Sequence, residues 1–478
     1  MNVAERRRLL EALETLAYRE AENNPKPVTE TFLPLKVHRL ALRPEIVLVR
    51  GGRGAGKSAL FRLLASGRST GFLRRFFGDE RLPDARWVDA FSQSKRHPSE
   101  TALDEWATEA SKDDLRIFWL AHLVLRLNEE GIGAMQPPAQ LLAAWQERRS
   151  DPRFFMPFAR PAVGELTAAL DGLDALLGRD ERLVFATYDH LDRLGQFQPV
   201  LRERYVAALL ALWLSFANRY QHLRAKVFLR DDILDAGEAS FADASKLRAR
   251  SVSIEWDVES LYRVGVRHMA AAGEGLRDWV RKVGGGLELQ DDAEFGWMPG
   301  DMAERTQRAF AERLAGEVMG TGSNKGYTYR WIPNRIQDAQ RRIVPRSMLS
   351  ILGFAARSAV LRPLGKGNRL IRPSDLYAAL EGTSKERVRE ISEEYPAVRR
   401  LENLRGLHVM LEKKQVVERV ARPVEEASGG IPTNGEAVFD ELLRLGVVKV
   451  RTDGRVDVPD IYRSGFGIKR RGGVGRPT

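Results

Sequence analysis

One stretch constrains this chain more than any other: Gly51-Gly52-Arg53-Gly54-Ala55-Gly56-Lys57-Ser58. It fits G-x-x-x-x-G-K-[ST], a loop whose backbone N–H groups cradle phosphate oxygens. Its flanks suit that use. Ile46-Val47-Leu48-Val49 precedes it and reads as a buried parallel strand. Ala59-Leu60-Phe61-Arg62-Leu63-Leu64-Ala65 follows and reads as a helix. A glycine turn between strand and helix aims the free N–H groups of a helix N-terminus at an anion. The spacing therefore predicts that Gly51, Gly52, Arg53, Gly54, Ala55, Gly56, Lys57, Ser58 and Ala59 line a triphosphate. Lys57 would reach its β- and γ-phosphates, and Ser58 would hold Mg²⁺.

Further apolar runs predict the sheet to which this loop belongs. Trp87–Ser92, Leu183–Tyr188, Ala225–Leu229 and Ser251–Glu255 read as strands, and the segments between them have helical spacing. Strands alternating with helices imply a parallel α/β sheet. Beyond residue 257 the expected elements are helices, broken by Gly284-Gly285-Gly286 and by glycines near 320–326. Near the end, Val447–Val450 and Arg455–Val458 alternate around Asp453-Gly454, a hairpin signal. Helices followed by a hairpin suggest a winged helix. The tail, Gly465–Thr478, reads as low in complexity.

Hydrolysis needs an acidic partner for the metal. In open α/β sheets ligands bind at the C-terminal ends of strands, and Asp189 closes the run Leu183–Tyr188. The expectation is that Asp189 lies on a strand beside the P-loop strand and completes the Mg²⁺ site; the competing role is a helix cap. Asp192 either polarises the attacking water or makes a cap or salt bridge. Arg230, at the tip of Val227-Phe228-Leu229, either senses the γ-phosphate, acts across a subunit boundary as a charge-stabilising finger, or pairs with Asp231 or Asp232. Arg346, in Val344-Pro345-Arg346-Ser347, is a second candidate sensor or a surface arginine at a helix start. Between Lys57 and Asp189 there is room for a helical insertion, expected within about residues 95–180.

Composition excludes several alternatives. There is no cysteine, hence no disulfide and no thiolate zinc site. No run of about 18 apolar residues occurs, so no membrane span is expected, and the N-terminus lacks the apolar core of a signal peptide. A cytoplasmic protein is the expectation. No H-E-x-x-H pattern is present, and the one fit to G-x-S-x-G, Gly67-Arg68-Ser69-Thr70-Gly71, follows the helical run after the glycine loop rather than a strand, so no nucleophile elbow is read. The net charge of +11 favours acidic partners such as DNA. Arg463, Lys469, Arg470, Arg471 and Arg476 would contribute to such a contact, unless the tail is merely solvated. Tryptophans such as Trp213 and Trp279 read as core anchors. No N-K-x-D base-reading motif follows the acidic strand, which points to ATP rather than GTP.

With those residues in view, the chain resembles the bacterial P-loop ATPases of the STAND and KAP type, in the AAA-like, ASCE division. The acidic motif of KAP proteins is I-D-D-L-D-R; here it reads Tyr188-Asp189-His190-Leu191-Asp192-Arg193. His190 stands where that motif has its second acid, which implies slow hydrolysis or the use of Asp192. The segments Lys226–Asp232, Val344–Ser347 and Asp460–Arg470 are also similar to segments of that group. The resemblance implies an ATP- and Mg²⁺-dependent switch or oligomerising ATPase of a bacterial defence or stress complex. Such a protein forms homo-oligomers and acts with an effector encoded nearby. A DNA-acting loader or remodeller using the winged helix, and a scaffold that scarcely turns over its nucleotide, are the other two classes. The expected division is an N-terminal helical segment (1–40), a P-loop ATPase core (41–260), a helical lid (261–400) and a winged-helix-like domain with a basic tail (401–478).

Overall fold

The computed structural model describes residues 1–18, 27–67, 69–79, 82, 84–133, 135–195, 198–237, 244–320, 325–365, 367–393, 395–424 and 434–470. The chain forms two compact units: Pro34–Ile254, and Met1–Leu33 together with Glu255–Thr478.

Pro34–Ile254 is built on five parallel strands, β1 (Leu48–Gly51), β2 (Ala85–Phe91), β3 (Leu183–Tyr188), β4 (Leu223–Arg230) and β5 (Ser251–Ser253). Their order is β2-β3-β4-β1-β5. Parallel neighbours cannot be joined by tight hairpins, so every connection crosses over, mostly through helices. The central strands are buried on both faces, which is why they read as continuous apolar runs rather than alternating ones. The helix Lys57–Ala65 buries Leu60, Phe61, Leu63 and Leu64, and Phe61 meets Phe228 of β4 edge-on at 5.9 Å.

The stretch between β2 and β3 carries the inserted helices Glu100–Glu109, Lys112–Glu129, Ala139–Arg148, Pro152–Ala159 and Val163–Arg179. Ser99 caps the first and Ser111 the second through their side chains. The second is apolar nearly all round: Leu115, Phe118, Trp119, Leu123 and Leu127 are all fully buried. Trp119 also donates its indole N–H to the Tyr205 carbonyl at 3.0 Å, on the helix Pro199–Arg219.

In the other unit, the helix Val3–Glu14 packs against Pro345–Val360. Gly353 permits the approach of the chain just after that first helix, since a Cβ there would overlap the backbone of Ala17. Arg267, fully buried, donates to the carbonyls of Thr29, Phe32, Phe295 and Trp297 and so ties three segments together. One expectation is corrected here. The stretch after residue 257 is not purely helical, because β6 (Leu289–Asp292) and β7 (Gly296–Pro299) form an antiparallel hairpin. Its first strand, Leu-Gln-Asp-Asp, is too polar to announce itself by alternation.

The C-terminal part of this unit is a winged helix. The short strands are β8 (His408–Val409), β9 (Leu411–Glu412), β10 (Lys449–Val450), β11 (Arg455–Asp457) and β12 (Lys469–Arg470). The helices Lys413–Val420 and Gly435–Arg444 pack together, and β10-β11-β9 form its antiparallel sheet. Asp453-Gly454 turns between β10 and β11, with Gly454 at φ 77°. The tail is a second correction. Phe466 and Ile468 are buried, and β12 pairs in parallel with β8, so the chain is ordered core as far as Arg470. Residues 471–478, with Arg471 and Arg476, lie outside the described residues, as do residues 321–324. Among the described residues no helix is long and apolar enough to cross a membrane.

Candidate nucleotide site

The glycine loop leaves β1 at Gly51 and enters the helix at Lys57, with Gly54 at φ 81° and the N-cap Gly56 at φ 96°. Both angles lie in the left-handed region, where a Cβ would be strained. The first hydrogen bond of the helix joins the Leu60 N–H to the Gly56 carbonyl at 3.1 Å, and no side chain caps the end. Helix geometry thus leaves the N–H groups of Lys57, Ser58 and Ala59 without intrahelical acceptors, as an anion site requires. Lys57 is buried. Its Nζ donates to the carbonyls of Gly51 at 2.8 Å and Gly52 at 3.1 Å. Burial, then Arg230, push its pKa down, while Asp189, Asp192 and Asp232 oppose the shift. The loop lysine therefore shares one electrostatic neighbourhood with three carboxylates and an arginine.

Asp189 directly follows β3 and donates its backbone N–H to the Phe91 carbonyl at 2.9 Å. It is 4% exposed, and Ser58 is close enough to its carboxylate to act on its pKa. The sequence expectation puts it on the strand next to β1. Instead β4 lies between β3 and β1. Two strand spacings separate the strands by about 10 Å. Ser58, at the start of the helix after the glycine loop, still acts on the Asp189 carboxylate. Burial pushes the Asp189 carboxyl upward, against the His190 charge and the influence of Ser58. Its Oδ2 is buried without a hydrogen-bond partner among the described residues, and His190 Nδ1 stands 3.6 Å away. A buried, unsatisfied carboxylate oxygen next to a serine hydroxyl suits an octahedral cation that takes its other ligands from phosphates and water. No group of three or more histidine or acidic residues that would cage a metal occurs among the described residues.

Arg230 ends β4, in register with Gly51 of β1. It is buried and forks onto Asp232, Nη2 to Oδ2 at 2.9 Å and Nε to Oδ1 at 3.2 Å; its Nη1 lies 3.8 Å from Asp192. The ion pair with Asp232 is thus formed. Asp192 sits in a short 3-10 turn, Leu191–Arg193, set up by His190 in the left-handed conformation at φ 60°. Arg346 belongs to the other unit, at the start of Pro345–Val360, and donates to Glu390 at 2.6 Å. Two residues were missed from the sequence. Glu100 begins the first inserted helix. Burial raises its pKa, with Arg193 and His190 opposing and Asp104 and Asp192 reinforcing. The turn after Arg193 is anchored to that helix, since Gly195 N–H donates to Asp104 at 2.8 Å. Asp104, on the same helix, is the other. Only the fold brings the first inserted helix back to the end of β3, so no local pattern marked Glu100.

Sheet order, glycine loop and the Asp189–Ser58 pair define a P-loop nucleoside-triphosphatase fold of the AAA-like, ASCE arrangement, carrying a C-terminal winged helix. No family model and no curated protein matches the chain. Among solved structures it is similar to a Walker-type ATPase of Pyrococcus abyssi, at 13% identity and a TM-score of 0.40, over 93% of this chain and 99% of that one. The Aeropyrum pernix ORC1 protein in complex with DNA is similar at 15% identity and a TM-score of 0.33, over 91% and 93%. The Aeropyrum pernix ORC2 protein, solved as ADPNP–ADP complexes, follows at 11% and 0.32, over 92% and 99%. At such values the overlap carries no functional weight, and what the site can do rests on its own side chains.

Proposed function

We propose that this chain binds ATP with Mg²⁺ at Gly51–Ala59 and hydrolyses it slowly, as a nucleotide-governed switch. The observation that carries the reading is the Asp189–Ser58 pair beside Lys57. On binding, Lys57 Nζ exchanges the Gly51 and Gly52 carbonyls for β- and γ-phosphate oxygens. The N–H groups of Lys57, Ser58 and Ala59 donate to the phosphates. Ser58 and Asp189 would hold Mg²⁺, which neutralises charge developing on the γ-phosphate. Asp192 is the base candidate from sequence, and Glu100 is a second, since burial favours its neutral, proton-holding form. Arg230, already fixed by Asp232, is oriented to answer a change at the γ-phosphate. Arg346 would have to leave Glu390 to do the same.

The resemblance to STAND and KAP ATPases extends this reading. ATP binding would drive self-assembly or docking to an effector in a bacterial defence or stress complex, in the cytoplasm. The domain roles follow: residues 41–260 as the motor, 261–400 as the lid and 401–478 as the winged-helix end. The DNA-acting alternative draws on the winged helix, but its charges do not favour it. The exposed face of Gly435–Arg444 carries Glu436 and Asp440 against Arg444. Arg463 and Arg470 are occupied by Asp460 and Asp457. A decisive experiment is nucleotide binding and turnover by wild type and Lys57→Ala, with sizing in a slowly hydrolysed ATP analogue. Nucleotide binding lost in the variant and a nucleotide-dependent size in wild type are expected. Wild type that binds no Mg²⁺–ATP at millimolar concentration would end the proposal.

A further inference from the structure

We propose a second ligand site, independent of the glycine loop. The cleft between the helices Val3–Glu14 and Glu274–Arg281 takes a small phosphorylated molecule, held by Arg8, Lys282, Arg313 and the indole N–H of Trp279. The cleft has a volume of about 550 Å³ and includes all four of these residues in its lining. That size is typical of sites for small organic ligands.

Trp279 is 4% exposed and packs edge-on against Phe310, with ring centroids 6.1 Å apart. Its Nε1 is buried and has no acceptor among the described residues. The same holds for Nε of Arg313, whose guanidinium lies over the indole, 5.4 Å from the ring centroid. Buried donors in folded proteins nearly always find an acceptor, and each exception asks for an explanation. Both side chains line the cleft, so a rotation that turned either donor into it would let an incoming anionic oxygen satisfy it.

The charges point the same way. Arg8, Lys282 and Arg313 have no ion pair among the described residues. The two acids of the cleft are engaged elsewhere. Glu5 forms a capping box with Asn2, and Asp278 lies 3.6 Å from Arg281. Three cations and a neutral N–H donor lining one cleft suit a phosphoryl group better than a monovalent carboxylate, because only the former has enough oxygens and charge to use them all. The fold contributes the approach: a Cβ added at Gly275 would stand 3.0 Å from Leu9 Cδ2, so a small residue keeps the two helices close.

The test uses the full chain carrying Lys57→Ala, so that the glycine loop does not contribute. Inorganic pyrophosphate and AMP are titrated at low salt, read by tryptophan fluorescence and calorimetry. Saturable binding is expected, weakened about tenfold or more by Lys282→Gln or Arg313→Gln. Trp279→Phe, which keeps a ring but removes the donor, should weaken it severalfold, with unchanged circular dichroism in all three variants. Tighter binding of AMP than of pyrophosphate would show that the cleft also encloses the organic part. The proposal is overturned if neither probe saturates below about 10 mM, or if affinity is the same in the charge variants. Binding of an oligoglutamate peptide where neither phosphate probe binds would overturn it too.

Discussion

Replacing Asp189 with Asn should make the nucleotide-free chain more heat-stable and at the same time blunt its response to nucleotide. The carboxylate is buried, and Oδ2 has no hydrogen-bond partner among the described residues. Burial is the largest influence on it and raises its pKa. The folded state thus holds the proton more tightly than the unfolded one. By linkage, this group's contribution to stability declines as pH rises from the unfolded value near 3.8 through the folded one. Above that window the site contains a desolvated ion. An amide of the same shape keeps a contact with Ser58 and removes the charge, a gain of about 1–3 kcal/mol. In a domain of about 200 residues each kcal/mol moves the midpoint by roughly 2–4 °C. The increase in EDTA should be full above the folded pKa and vanish near pH 4. With Mg²⁺ and a slowly hydrolysed ATP analogue at about 100 times its Kd, wild type should gain about 2.7 kcal/mol. A variant with about thirtyfold weaker affinity would gain only about 0.9 kcal/mol. Scanning fluorimetry reads both quantities. If Asp189→Asn lowers the midpoint in EDTA and leaves the nucleotide shift intact, the metal role is refuted and Asp189 is a purely structural residue.

Three other outcomes are expected. His38 is buried, its Nδ1 accepts from the Leu35 N–H at 3.0 Å, and burial lowers its pKa from 6.5 to about 3. The unfolded chain binds this proton first, so stability should fall as pH drops below 6.5, by about 2 kcal/mol at pH 5; denaturant titrations of wild type and His38→Gln should differ by that slope. Gly353→Ala should cost about 1–3 kcal/mol or more, because the new methyl meets the Ala17 backbone; an unchanged urea midpoint would contradict the packing described. Asp460 holds Arg335, Arg463 and Arg470 together, so Asp460→Asn should destabilise the C-terminal part by about 3–5 kcal/mol; proteolysis near residues 460–470 that is no faster than in wild type would count against that network.

Much of the candidate nucleotide site was legible because it is local. The glycine loop, the strand before it and the helix after it are adjacent in the chain, and the physics of phosphate binding acts on those few residues. The acidic strand was legible for the same reason: a run buried on both faces reads as apolar and ends in Asp189. The sequence did not reveal that β4 separates that strand from β1, since strand order is chosen by how distant segments cover one another. Nor did it reveal that Glu100 returns to the end of β3, or that Arg463 and Arg470 are held by Asp460 and Asp457. Those pairings depend on side chains brought together by packing. Local chemistry determined which residues can bind a phosphate; the tertiary structure decided which charges are left free to do so.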